Sequence, residues 1–187
     1  HPTLYWATIV ATTTLGTTLA DFADRSLGIG YPGGVAIVST LLVASLGIWR
    51  WSEGSVSVQS ITTPKAEWFY WGTILFSQTL GTALGDWAAG SDRGGLGLGY
   101  EYGAMIFAAG LALVAALYFW TKISRTMLFW AAFVLTRPLG ATLGDLLDKP
   151  VAQGGLHFSR LIASLMLLVC IVAIVAFTKH RAARTTH

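Results

Sequence analysis

The sequence predicts an all-α, polytopic membrane bundle of six transmembrane helices, built as three parallel two-helix repeats. Three observations predict it. Of 187 residues, 54% are hydrophobic and only 11% charged, with a mean hydropathy of +0.62. A soluble domain of this size carries about 25% charged residues, so polar surface is too scarce here to cover a water-facing globule. The apolar residues fall in long runs, at 35–49, 105–120 and 161–177, which approach the roughly 20 residues that span hydrocarbon. One segment also recurs three times.

The recurring segment aligns without gaps as WATIVATTTLGTTLAD (6–21), WGTILFSQTLGTALGD (71–86) and WAAFVLTRPLGATLGD (130–145). Each copy opens on Trp6, Trp71 or Trp130, carries Leu-Gly at Gly16, Gly81 or Gly140, and ends on Asp21, Asp86 or Asp145. A helix at 4–23 follows from the first copy, and the LGIGYPGG turn ends it. The apolar run at 35–51 gives the second helix, before a polar connection containing Pro64. The second copy gives a helix at 68–88, and GGLGLGYEYG leads into a fourth at 102–121. The third copy gives a helix at 128–147, locally opened by Pro138. The sixth helix, 159–178, precedes a basic tail at 179–187. The repeats thus occupy 4–51, 68–121 and 128–178 of a single transmembrane domain. Two spans per repeat return the chain to its starting side, so the first helices of all repeats run parallel, as in some transporters.

Helical periodicity sorts the first helices into faces. One stripe holds Thr13, Thr17 and Asp21; its counterparts are Gln78, Thr82 and Asp86, then Arg137, Ala141 and Asp145. Lipid cannot satisfy such groups, so this stripe faces protein or water. Beside it runs a small-residue stripe: Thr12-Gly16-Ala20, Ser77-Gly81-Gly85 and Thr136-Gly140-Gly144. That spacing lets helix backbones approach closely. The first helices are expected to pack along it, with the second helices forming a lipid-facing layer. Trp6, Trp71 and Trp130 read as interfacial anchors.

Two readings of the aspartates stand side by side. Each carboxylate either fixes the Gly-rich turn after it or converges with the others on a cation or proton site. A carboxylate at a helix C-terminus opposes the helix dipole and needs a compensating partner. Arg137, in mid-span, also needs one, from Asp145 or a neighbouring repeat. The adjacent acid–base pairs Asp24-Arg25, Asp92-Arg93 and Asp148-Lys149 read as surface or interfacial loop features.

Other chemistries lack a signature. The lone Cys170 sits in an apolar run and reads as packing. GLGLG has no strand–turn–helix context for a nucleotide. His157, which replaces a loop glycine, reads as a surface residue. No triad or zinc-type arrangement points to an enzyme, and the sequence assigns no metal or cofactor. The net charge of +3, without a basic aromatic arm, speaks against nucleic acid. Connections between repeats and the tail carry Arg50, Lys65, Lys122, Arg125, Lys179, Arg181 and Arg184. The loops within repeats carry Arg25, Arg93, Lys149 and Arg160, which puts the C-terminus in the cytoplasm. The chain opens on His1-Pro2 without Met, and an upstream segment is expected.

The Trp, Leu-Gly and Gly-Asp pattern, followed by GLGLGY and a second span, resembles a bacterial membrane-protein family of unknown function. That family is built from tandem two-helix repeats with a recurrent tryptophan, usually four. The resemblance implies the fold and a bacterial inner-membrane location, and supplies no activity. The third copy departs most, with Arg137-Pro138 in place of Gln78-Thr79. The expected function is a small cation or proton transporter using the polar stripes. The alternative is a non-catalytic subunit of a larger membrane complex, contacting lipid, other subunits or copies of itself.

Overall fold

The computed structural model describes residues 2–26, 28–58, 61 and 63–177; the Trp6 side chain and the basic tail lie outside the described residues. Among these are six α-helices: α1 (Pro2–Asp21), α2 (Gly30–Glu53), α3 (Pro64–Ala89), α4 (Gly99–Trp120), α5 (Arg125–Asp148) and α6 (Arg160–Phe177). A π-helical turn, Phe22–Ser26, continues α1, and a 3₁₀ turn, Val151–Gln153, follows α5. Three helices, α2, α4 and α5, are long and apolar enough to cross a membrane, and α6 holds a shorter apolar stretch at 160–170.

Helices α2 and α3 begin five and four residues earlier than the hydropathy predicts, the largest such differences. The Thr63 hydroxyl caps α3 by accepting the Ala66 N–H at 3.1 Å, and Pro64 takes the first helical position. There a missing N–H costs nothing. Helix α2 starts at Gly30, directly after a left-handed turn (φ +69° at Gly30), with Pro32 in its first turn. A side-chain cap sets the start of α3 and the turn with Gly30 and Pro32 that of α2; apolar runs register neither.

Contacts divide the chain into residues 1–143 and 144–187. In the first unit α3 is the central helix. Its Leu80 is buried with Val38 and Leu42 of α2, and Val35, Leu46, Phe76, Leu84 and Val134 pack around them. A hydroxyl pair, Ser45 to Thr73 at 2.8 Å, ties α2 to α3. Toward the C-terminal end of α2, Trp49 is 1% exposed and meets Tyr70 and Trp130 edge-on, with centroids 6.5 and 6.0 Å apart. On the far side of α3, Gly16 of α1 lies against Thr79 and Gln78, at 3.1 and 3.2 Å from the position a Cβ would take. Gly81 lies so close to Arg137 of α5 that a Cβ would overlap its side chain. Gly110 of α4 faces Leu135 of α5 in a tight contact without overlap, 3.3 Å from the Cβ position. Outward, α4 exposes Tyr102, Met105, Ile106 and Leu113. Water would penalise such a surface and acyl chains do not.

The second unit contains the end of α5, its loop and α6. Arg160 at the start of α6 pairs with Asp148 at 3.5 Å. Most of α6 is exposed, including Leu161, Leu165 and Val169. Cys170 is also exposed, so it is not the packed core residue that its apolar run suggests. With most of α6 exposed in this chain, its apolar side chains are left for lipid or another protein.

The turns after α3 and α5 repeat each other within their own units. Leu96, Gly97 and Leu98 donate backbone N–H groups to Trp87, Gly90 and Ala88. Leu156, His157 and Phe158 donate in the same order to Leu146, Lys149 and Leu147. Gly95 and Gly155 press equally close to backbone carbonyls, where a Cβ would overlap. Gly97 is left-handed (φ +66°), and His157, its counterpart, keeps that conformation at φ +57°. The third loop, with His157 in place of a glycine, therefore keeps the shape of the second.

Candidate functional site

Three polar contacts between first helices line one region of the first unit. The Gln78 amide nitrogen on α3 donates to the Thr12 hydroxyl on α1 at 3.3 Å. The Arg137 guanidinium on α5 donates to the Thr13 hydroxyl at 2.6 Å. The hydroxyls of Thr17 and Thr82 lie 3.5 Å apart. Toward the N-terminal ends of α1 and α3, the Tyr5 and Tyr70 hydroxyls are 3.4 Å apart. Helix geometry makes this possible. Thr13 and Thr17 share one stripe of α1 and Thr12 adjoins it, and their hydroxyls also bond back to the preceding turn. Each can therefore bridge to a neighbour without leaving its own proton unsatisfied.

Gln78 is the most enclosed of these residues, at 2% exposure, and its amide oxygen has no hydrogen-bond donor among the described residues. The Ser77 hydroxyl beside it is likewise buried without a partner. Arg137 is partly buried. Its predicted need for a partner is met by a hydroxyl of α1. A neutral acceptor on the guanidinium leaves its charge uncompensated at that contact. Pro138, next to it, is buried within α5.

Asp21 and Asp86 sit partly buried at the last turns of α1 and α3. In the second unit, Asp145 finds the compensating cation that its helix position demands, Lys149 Nζ at 3.8 Å one turn later. Among the described residues no group of three or more His, Cys, Asp or Glu is arranged to hold a metal ion. Among the packing glycines, Gly16, Gly81 and Gly85 stand in tight helix crossings, with Gly85 facing Ala141 at 3.2 Å. Gly140 and Gly144 differ: a Cβ at either meets nothing within 4 Å. Small size alone permits a close crossing and does not supply the neighbour.

Of the tryptophans, Trp71 is partly exposed beside Tyr5 and Tyr70, and its indole donates to Glu67 at 3.4 Å. Trp130 is used differently from the interfacial anchor expected of it. It is 5% exposed, stacks edge-on against Trp49, and donates its indole N–H to the Val56 carbonyl at 3.1 Å. The chain between repeats folds back over it and supplies the acceptor.

Sequence reasoning missed two residues. Thr12 belongs to the small stripe by spacing, yet its hydroxyl joins the polar contacts; threonine is small and polar at once. Asp24, read as half of a surface pair, is 1% exposed. Its carboxylate lies over Gly34 of α2, where a Cβ would overlap it. The Pro-Gly-Gly run at 32–34 was the available signal, since glycine there leaves room for a buried side chain. Asp92 and Arg93 do stay at the surface, 3.7 Å apart with both side chains exposed, whereas Asp148 and Lys149 are partly buried and pair elsewhere, with Arg160 and Asp145.

Comparison with characterised proteins and with solved structures gives no match. Comparison with family models matches residues 4–55, 69–124 and 128–184, each to one copy of the same repeat. This chain is a membrane protein with internal repeats, and it belongs to the family described as a repeat of unknown function, DUF347.

Proposed function

We propose that the protein is a non-enzymatic transporter that moves protons or a small cation along the polar stripes of α1, α3 and α5. In this reading all six helices span a bacterial inner membrane with the C-terminus in the cytoplasm. The observation that carries it is Gln78. Its amide oxygen is enclosed at mid-helix, without a donor among the described residues. A buried, unmatched acceptor costs about 1–3 kcal/mol, and a passing proton carrier or cation offsets that cost. The Thr12, Thr13, Thr17 and Thr82 hydroxyls give adjoining steps, each with an oxygen that can accept while its proton bonds the preceding turn. Asp21 and Asp86 stand at the end of the same stripe, where a carboxylate attracts a cation at the mouth. Arg137 sets a charge barrier between them, as fixed arginines do in selective pores. A fixed positive charge opposes cations, so its removal lowers that barrier and speeds their passage.

The test is flux in proteoliposomes under an imposed pH or cation gradient. Gln78→Leu and Asp86→Asn are expected to slow flux by about tenfold or more, equivalent to roughly 1.4 kcal/mol of barrier. Arg137→Gln is expected to raise cation or proton flux several-fold. Wild-type flux no greater than in protein-free vesicles would sink the transport reading and leave the subunit of a larger membrane complex in its place.

A further inference from the structure

A groove of about 690 Å³ lies where the end of α2, the following connection and the start of α5 meet. We propose that it binds an acidic phospholipid, with the lipid phosphate on Arg50 and an acyl chain along the α2–α5 surface. Two kinds of lining residue occupy the groove. The polar part is formed by Arg50, Ser124 and Thr126, and the apolar part by Val43, Gly47 and Met127. Val43 and Met127 are 69% and 68% exposed, so the apolar part opens outward, on helices long and apolar enough to cross a membrane. An apolar channel that begins at a cation matches a phospholipid in both chemistry and direction.

Charge selects the headgroup. Among the described residues the Arg50 guanidinium has no ion pair and no hydrogen-bond acceptor. The nearby carboxylate, Glu53, is engaged elsewhere, by Lys65 at 3.8 Å and by the Thr63 hydroxyl at 3.2 Å. The other local cation, Arg125, is drawn away: its guanidinium bonds the Tyr118 carbonyl and stacks over the Tyr118 ring at 4.1 Å. Arg50 is therefore the cation left facing the groove, with hydroxyls beside it that can donate to phosphate oxygens. Arginine pairs with phosphate through two parallel hydrogen bonds. A zwitterionic headgroup offers the same phosphate with a cation attached, so an acidic lipid is preferred.

Gly47 gives a clean handle on the apolar half. A Cβ there meets nothing within 4 Å, so Gly47→Leu fills the groove without disturbing α2. The experiment is native mass spectrometry of the full chain in detergent, titrated with phosphatidylglycerol, phosphatidylcholine or inorganic phosphate. The wild type is expected to bind phosphatidylglycerol about tenfold more tightly than phosphatidylcholine. Arg50→Gln should erase that preference, Arg50→Lys should keep most of it, and Gly47→Leu should weaken both lipids. An undiminished preference in Arg50→Gln overturns the proposal. So does unchanged lipid binding in Gly47→Leu. Inorganic phosphate that displaces phosphatidylglycerol with the same dependence on Arg50 would make this a free-anion site and overturn it as well.

Discussion

Gly81 and Gly140 occupy the same position of successive repeats, yet a methyl group added to each meets different surroundings. At Gly81 it overlaps the Arg137 side chain, while at Gly140 it meets nothing within 4 Å. Gly81→Ala is expected to lower stability by about 1–3 kcal/mol, the usual cost of overpacking. Gly140→Ala should be neutral or raise stability by up to about 1 kcal/mol, because alanine is the better helix former. Thermal unfolding in detergent compares the two, and equal losses would contradict the crossing described for α3 and α5. A second pair of variants tests the turn. His157 holds a left-handed backbone (φ +57°) where the preceding repeat has Gly97. His157→Gly should leave the melting temperature unchanged or higher. His157→Val should lower stability by about 1–2 kcal/mol, since a β-branched residue resists that conformation.

At the scale of the element, the start of α2 is fixed by what lies beneath it. The buried Asp24 carboxylate fits only because position 34 lacks a Cβ. Gly34→Ala is therefore expected to destabilise by about 1–3 kcal/mol. Asp24→Ala removes the obstacle, so the double variant should lose less than the sum of the two singles. A double-mutant cycle by denaturant unfolding reads that coupling, expected at about 0.5–3 kcal/mol; strict additivity would show that the carboxylate is not what Gly34 accommodates. The same logic explains Trp130. An indole at the start of α5 reads from sequence as an interfacial anchor, but the carbonyl of Val56 reaches it from a distant connection. No local pattern encodes a partner 74 residues away.

At the scale of the molecule, the outward faces of α2, α4 and α6 are apolar and exposed. In the six-span reading proposed above, acyl chains cover such faces, because each backbone polar group is already bonded inside its helix. Cys170, exposed on α6, reports on this directly. In intact membranes a charged, membrane-impermeant maleimide should label it at less than about a tenth of the level reached after denaturation, since only a hydrated thiolate reacts. Full labelling in membranes would place this face of α6 in water or along an aqueous cavity.

The helices and their threefold repetition were legible in the chain because both are local. Hydrophobic runs, a Trp-to-Asp spacing and Gly-rich breaks each lie within a single helix or its end, and they placed six helices within a few residues of where they stand. The polar and small stripes were legible for the same reason, since helical periodicity assigns a face without reference to any neighbour. What each face meets was not. Gln78 bonds Thr12, Arg137 bonds Thr13, Asp24 is buried under Gly34, and Gly140 stays open. These follow from how helices distant in sequence cross and which side chains they bring within bonding range. Three copies of one motif thus acquire three different surroundings: repetition of sequence fixes which groups are offered, and packing fixes which of them are paired.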